Sequence, residues 1–163
     1  MEQSAFAALL AEFAAAATAG DGTAFAACFT EDAIYHDYVY GDHAGRADIC
    51  EMLEARFHKD ATAYHWEMRD PVVNGNLGYA WSLSTYLSTI PEVKGQRVVI
   101  DGMSRFELQD GLIADYREQV NAGVAMAQLG VAPERMGKVF ARWAGNLQQD
   151  KVVQAYLADH GQV

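Results

Sequence analysis

The chain has 163 residues, enough for one domain around one core and too few for two. Hydrophobic residues at 51% and charged residues at 21% exclude a disordered polypeptide. A formal net charge of −10, with 12 basic residues scattered along the chain, excludes a phosphate-backbone partner, so no nucleic acid is expected.

From Ser4 to Ala17, Phe6, Leu9, Leu10 and Phe13 recur at helical spacing with Ala between them, and Ser4 is the expected N-cap. This start has no basic leader, and Glu2 and Glu12 bracket its apolar stretch, so it does not read as a signal peptide. No apolar run approaches the ~18 residues that span a bilayer. No membrane partner is expected, and a cytoplasmic location follows by elimination. Gly20 stops the first helix and Asp21 caps a short second one, with Phe25, Cys28 and Phe29 on one face and Glu31-Asp32 at its end. Cys28 and Cys50 have neither metal nor disulfide spacing and read as buried, inert thiols. A strand is expected over 33–39, then a turn between Gly41 and Gly45. A third helix over 47–58 presents Ile49, Leu53 and Phe57 on one face.

Four longer strands follow, over 63–73, 77–89, 97–108 and 112–121. Asn74-Gly75 and Asp110-Gly111 are their hairpin signals, and Pro91 closes the second. Pro133-Glu134 starts a helix bearing Met136, Val139, Phe140 and Trp143, and a last amphipathic segment carries Val152, Val153, Tyr156 and Leu157. Helices first and an antiparallel meander after them define an α+β fold. We expect a main domain over 1–123, with 124–163 a C-terminal helical extension of the same domain.

Strand alternation sorts the faces. In 97–108, Val98, Ile100, Gly102, Ser104, Phe106 and Leu108 face inward, while Asp101 and Arg105 face out as an expected surface or dimer ion pair. In the last strand Ala114, Tyr116, Glu118 and Val120 share the inner face, which makes Glu118 a carboxylate among apolar neighbours. Asp37 follows Tyr35 on one parity of the first strand. Two inward acids push their pKa values apart and become an acid and a base. Alternatively, Asp37 caps a turn and Glu118 pairs with Arg46 or Arg56. In 77–89, Tyr79, Trp81 and Leu83 lie on one side and Ser82, Ser84 and Tyr86 on the other. Such a two-sided strand needs cover on its outer face, and a homodimer is expected there, with the C-terminal helices as the competing cover.

Three patterns carry a resemblance. They are Ala19-Gly20-Asp21 followed by Phe29-Thr30-Glu31-Asp32-Ala33, then Tyr35-His36-Asp37 leading to Gly41 and Gly45-Arg46, and Phe106-Glu107-Leu108-Gln109-Asp110-Gly111 running into Tyr116-Arg117-Glu118. In order and spacing, over about residues 5 to 122, the chain resembles the SnoaL-like branch of the nuclear transport factor 2-like superfamily. The resemblance implies a cone, in which a curved, mostly antiparallel sheet wraps around the N-terminal helices and encloses a small apolar pocket. It also implies that Asp37 stands at the base position of ketosteroid isomerases, while the oxyanion-donor positions become Phe13 and Ser104. Against limonene epoxide hydrolase-like members, Tyr35 matches the Tyr, Asp37 replaces the Asn and Glu118 replaces the last Asp. The Arg-x-Asp pair of those enzymes becomes Ser82-x-Ser84. A scytalone dehydratase-like chemistry asks for inward histidines, whereas His36 and His65 are expected to face out and His43 and His58 to lie at the surface.

The expected function is therefore binding of a small apolar ligand, with cofactor-free and metal-free acid/base chemistry of isomerase, cyclase or dehydratase type on a carbonyl or hydroxyl compound. Asp37 is the expected base, Glu118 the second acid and Tyr35 a hydrogen-bond donor. Phe13, Trp66, Met68, Ser82, Ser84, Tyr86, Ile100, Ser104, Phe106 and Tyr116 are the expected ligand-binding set. A non-catalytic binding or dimerisation domain with a degenerate pocket is the alternative.

Overall fold

The structure is a computed structural model that describes residues 1–37 and 39–160. Tyr38, inside the strand expected over 33–39, lies outside the described residues, as do 161–163. Two compact units divide the chain, Met1–Leu129 and Gly130–Val163.

In the first unit, α1 (Gln3–Ala19) buries Phe6, Leu9, Leu10 and Phe13 along one stripe. It ends as its sequence dictates: Gly20 turns left-handed at φ 70°, and the Asp21 N–H reaches back to Ala16 O at 3.1 Å. Asp21 then caps α2 (Gly22–Ala27) by accepting from Ala24 N at 2.9 Å. Ser4 caps nothing, because the helix begins one residue earlier with Glu2 at the cap position and no side-chain bond there.

Strand β1 (Phe29–Asp37) starts earlier than its sequence suggests, so Phe29, Glu31 and Asp32 are strand rather than helix. The sheet draws them in: Cys28 O accepts from Ile113 N at 2.9 Å, and the Arg46 guanidinium donates to Phe29 O at 2.7 Å. The expected turn between Gly41 and Gly45 contains a short strand, β2 (Gly41–Ala44), which pairs antiparallel with β1. Helix α3 (Gly45–Met52) continues into a wider helical turn over Leu53–Phe57. The meander follows as β3 (Ala61–Asn74), β4 (Leu77–Ser88), β5 (Arg97–Gln109) and β6 (Leu112–Val120). Asp110 and Gly111 adopt φ of 51° and 86°, the left-handed pair that a tight hairpin requires. Beyond β6, Asn121 caps a short helix, α4 (Ala122–Gln128), by accepting from Val124 N at 3.3 Å.

The sheet runs β2-β1-β6-β5-β4-β3, with β1 and β6 parallel and the other pairs antiparallel. This is the α+β cone architecture. Its edge strand β3 breaks register between Thr62 and His65 and again between Arg69 and Val72, with Ala63 and Asp70 at φ of 50° and 48°. Such bulges bend a strand and leave backbone groups unpaired. Helix α1 supplies the partners: Thr18 Oγ1 accepts from Trp66 N at 2.9 Å, and Gln3 donates to Pro71 O at 2.6 Å while accepting from Val73 N at 3.1 Å. The helix thus covers the open edge much as another strand would. Gly78 of β4 lets the Phe6 ring lie directly on the strand, where an added Cβ would overlap it.

Phe13 is the centre of the core, with ring centroids 4.6 Å from Phe25, 5.1 Å from Trp66, 5.5 Å from Tyr116, 6.0 Å from Phe29 and 6.1 Å from Phe106. On the outer face of the sheet Tyr79, Trp81, Val99 and Met103 are exposed in this chain. Arg105 pairs with Glu107 at 2.5 Å and with Asp115 at 3.7 Å, in place of the expected Asp101.

The second unit comprises α5 (Pro133–Gln149) and α6 (Lys151–His160). Pro133 opens α5 as expected. Asp150 caps α6, accepting from Val152 N at 2.8 Å and Val153 N at 3.2 Å.

Candidate acid/base site

In the parallel β1–β6 pair, Tyr35 stands opposite Tyr116, with the rings 4.5 Å apart. Asp37 and Glu118 lie two residues further along each strand, so period-two alternation projects both from the same end of the same inner face. The inner face changes character along its length. Phe106, Leu108, Ala80 and Ala33 are sealed in the core. Around the acids Tyr64, Tyr86, Ile100, Val120 and Glu118 are only half-buried, so the concave face opens at that end.

Both alternatives weighed for the acids have an answer here. Asp37 Oδ1 accepts from Val39 N at 2.7 Å and from Tyr40 N at 2.5 Å, so the turn anchors one oxygen of the carboxylate. Glu118 pairs with neither arginine. Arg46 is held by Glu31 at 2.6 Å and by Phe29 O, and Arg56 lies 5.6 Å over the Tyr40 ring. Among the described residues Glu118 has no ion pair; its carboxylate accepts from Tyr116 Oη at 3.0 Å. Ser104 Oγ lies 2.9 Å from that same hydroxyl. A Tyr that donates to Glu118 must accept from Ser104, which gives a directed chain from Ser104 through Tyr116 to Glu118.

Burial sets the electrostatics. It pushes the Glu118 carboxyl up to about 8; the Asp37 charge adds to the rise and the Tyr116 hydrogen bond opposes it. Burial also lifts Asp37, against the Tyr40 and Val39 N–H groups and, more weakly, His43 and Arg56. The Tyr35 and Tyr116 hydroxyls are held well above the usual range, first by burial and then by Glu118. Near neutral pH Glu118 therefore holds a proton, while the two backbone N–H groups on Asp37 favour its ionised form against the effect of burial. Tyr35 Oη is buried without a well-formed hydrogen bond, although it lies close enough to Tyr116 to favour that residue's ionised form.

The other expected ligand-binding residues divide into three groups. Ser84, Tyr86 and Ile100 lie on the inner face beside the acids, with Ser84 opposite Ile100 in the β4–β5 register. Ser82 accepts from the Trp66 indole at 2.6 Å, deeper in. Phe13 and Phe106 are fully buried in the ring cluster, and Trp66 and Met68 border a cleft between α1 and β3, lined also by Ala11, Ala14 and Thr18.

Sequence reasoning missed Tyr64 and misplaced His43. Tyr64 shares parity with Trp66, stacks on Tyr86 at 6.1 Å and 12°, and is held above its usual range by burial and by Glu118. Alternation carried two residues further back would have found it. His43 is buried rather than on the surface, because it lies on β2 opposite Tyr35 with Nδ1 3.0 Å from Asp48. His58 is half-buried and caps the end of α1 through Ala17 O at 2.8 Å. Cys28 is buried, its thiol pushed up to about 11 first by desolvation, while Cys50 is half-buried. Among the described residues no three His, Cys, Asp or Glu side chains gather as a metal site, and no helix is long and apolar enough to cross a membrane.

This fold is that of a small α+β cone domain, with two acids on the inner face of its sheet. The SnoaL-like domain pattern matches residues 10–116, and the chain belongs to that family. No functionally curated protein matches the sequence. Among solved structures the chain is similar to TsrD from Streptomyces laurentii, with a TM-score of 0.71 at 19% identity over 81% of this chain and 99% of that one. It is also similar to a protein assigned as a polyketide cyclase from Xanthomonas campestris, at 0.60 and 24% identity over 78% and 98%. An LEH-like epoxide hydrolase of M. tuberculosis aligns at a TM-score of 0.63 and 16% identity over 77% and 90%. At these identities the likeness is one of fold.

The raised carboxyl has a thermodynamic signature. An acid whose folded pKa exceeds its unfolded value binds more protons when folded, so stability falls as pH climbs from 4.5 through about 8. Glu118→Gln should therefore raise the thermal midpoint by several degrees at about pH 9, on a scale of about 2–4 °C per kcal/mol. At about pH 3.5, below the unfolded value of 4.5, where the carboxyl is protonated in both states, the gain should nearly vanish. A midpoint difference independent of pH, by differential scanning calorimetry, contradicts the assignment.

Proposed function

We propose that the chain is a cofactor-independent acid/base enzyme of isomerase, cyclase or dehydratase type, acting on a compact apolar carbonyl or hydroxyl compound. The observation that carries this reading is a pair of carboxyls at the same end of one inner face: Asp37, held by two backbone N–H groups, and Glu118, which among the described residues has no ion pair and is pushed up by burial to about 8. Asp37 takes a proton from the carbon next to a carbonyl. Its carboxylate is held in place by two backbone N–H groups, so it needs little reorganisation to act. Glu118 supplies a proton to the oxygen on which negative charge develops, and its own charge then rests on the Ser104–Tyr116 chain. Asp37 then gives its proton to the same carbon or a neighbouring one while Glu118 takes its proton back from the oxygen, which restores both groups and sets the product. Tyr35 is the further donor to that oxygen, and the aromatic floor excludes water from the reacting carbon.

The experiment is solvent deuterium exchange at the α-carbon across a panel of compact cyclic ketones and hydroxyketones, followed by proton NMR. Wild type should accelerate exchange of at least one member, and Asp37→Asn should lower kcat/KM by about 10²–10⁴-fold, the usual weight of a positioned base. The rate should also decline above about pH 8 as Glu118 loses its proton. Exchange no faster than buffer for every member, or an unaffected Asp37→Asn, sinks the proposal.

We further infer a homodimer through the outer sheet face, supported by the exposure of Tyr79, Trp81, Val99 and Met103 on adjacent strands. Light scattering should give twice the chain mass for wild type and the monomer mass for Trp81→Glu. A monomeric wild type at micromolar concentration refutes the inference.

A further inference from the structure

The β1–β2 hairpin that carries Asp37 is tied down on its outer face by a single imidazole. His36 Nδ1 lies 2.7 Å from Asp42 Oδ1 of β2, and its Nε2 lies 2.9 Å from Asp115 Oδ2 of β6. Two carboxylates can both accept only when both ring nitrogens carry hydrogen, so this is the bonding pattern of an imidazolium. Asp115 is itself shared: Arg117 Nε lies 3.3 Å and Arg105 Nη1 3.7 Å from its other oxygen, and Arg105 is further engaged by Glu107 at 2.5 Å. Among the described residues these are the charged groups joined to His36 directly, through Asp115 or as its register partner. Asp42 stands on β2, Asp115 and Arg117 on β6, and Arg105 with Glu107 on β5.

The two arms differ in weight. Asp42 is exposed, so solvent and salt screen its arm; the Asp115 arm is half-buried and less screened. If the ring loses its proton, one nitrogen becomes a lone pair facing a carboxylate. That contact is repulsive, so one arm must open rather than merely weaken. On the inner face the same hairpin offers a contrast. His43 engages Asp48 through Nδ1 alone and leaves Nε2 without a partner, a pattern that a neutral ring satisfies.

The position of His36 gives its protonation a consequence. It is the strand neighbour of Asp37, and its bridge to Asp42 spans the hairpin whose Val39 and Tyr40 N–H groups hold Asp37 Oδ1. We propose that His36 is a positioning residue for Asp37: as a cation it clamps β2 and β6 to β1 from the outer face, keeps the hairpin N–H groups on the Asp37 carboxylate, and releases that hold when it loses its proton. The proposal rests on Asp37 being the base of the reaction proposed above. It adds a pH-dependent loss of base geometry that does not originate in the acids themselves.

The test needs no substrate, so its failure is distinguishable from failure of the proposed activity. Amide hydrogen exchange at Val39 and Tyr40, corrected for intrinsic rates, is read by NMR at about pH 6 and about pH 9. In wild type, protection should fall about fivefold or more between the two. His36→Gln should show the lower protection at both pH values, and His36→Lys, which keeps a cation, the higher protection at both. The Asp37 carboxyl, followed by carbon-13 shift, should titrate higher in His36→Gln than in wild type, because the two N–H bonds that favour its ionised form are loosened. Should His36→Gln fail to fold, Asp42→Asn removes one arm only and should move both readouts in the same direction by less. Protection that is independent of pH in wild type, or equal in wild type and in the Gln or Asn variant at about pH 6, overturns the proposal.

Discussion

Everything about this domain depends on where the Phe13 ring sits. It is fully buried and touches aromatic rings from α2, β1, β3, β5 and β6, so it fixes how deeply α1 enters the concave face of the sheet. Aromatic burial of this extent contributes on the order of 3–5 kcal/mol when judged by truncation to alanine. Two further contacts keep the helix in register: the glycine at position 78 admits the Phe6 ring, and Thr18 and Gln3 complete the hydrogen bonds of the bulged edge strand. With α1 seated this way, one end of the concave face is filled and the other is left open.

The open end is where polar chemistry can survive. A carboxyl placed among the sealed rings would remain neutral and useless, and one placed on the outer face would titrate as it does in water. Asp37 and Glu118 occupy the boundary, buried enough for desolvation to dominate both, yet beside half-buried neighbours. They are told apart by their hydrogen bonds. Two backbone N–H groups favour charge on Asp37, whereas Glu118 has one tyrosine hydroxyl and faces the charge of Asp37. The electrostatic asymmetry between the two carboxyls thus comes from the backbone of a turn.

Much of the fold was legible because the local signals are strong and agree with the tertiary outcome: Gly20-Asp21, Asp110-Gly111, Pro133 and the alternation of 97–108 all do in the structure what they announce in the sequence. The errors fall where long-range contacts override local pattern. Phe29 follows a helical run but is drawn into the sheet opposite Ile113, and the four residues of β2 look like a turn because their partner strand supplies the reason to be extended. At the site, parity placed Glu118 and Tyr35 on the inner face, and the turn-capping alternative for Asp37 is realised by two backbone amides, but no local signal reveals that a capping carboxylate also faces Glu118 from the neighbouring strand. Histidine burial was illegible for a similar reason, since His43 is covered only once α3 and Asp48 fold over it.

The central claim is that Asp37 and Glu118 titrate as neighbours in one buried site. The most direct measurement is the carbon-13 titration of the Glu118 side-chain carboxyl in wild type and in Asp37→Asn. The account predicts a midpoint near about 8 in wild type and a clear downward move in the variant, because one of the two causes of the rise has been removed. A wild-type midpoint in the ordinary carboxylate range, unmoved by the substitution, would contradict the shared site and with it the acid/base reading of this domain.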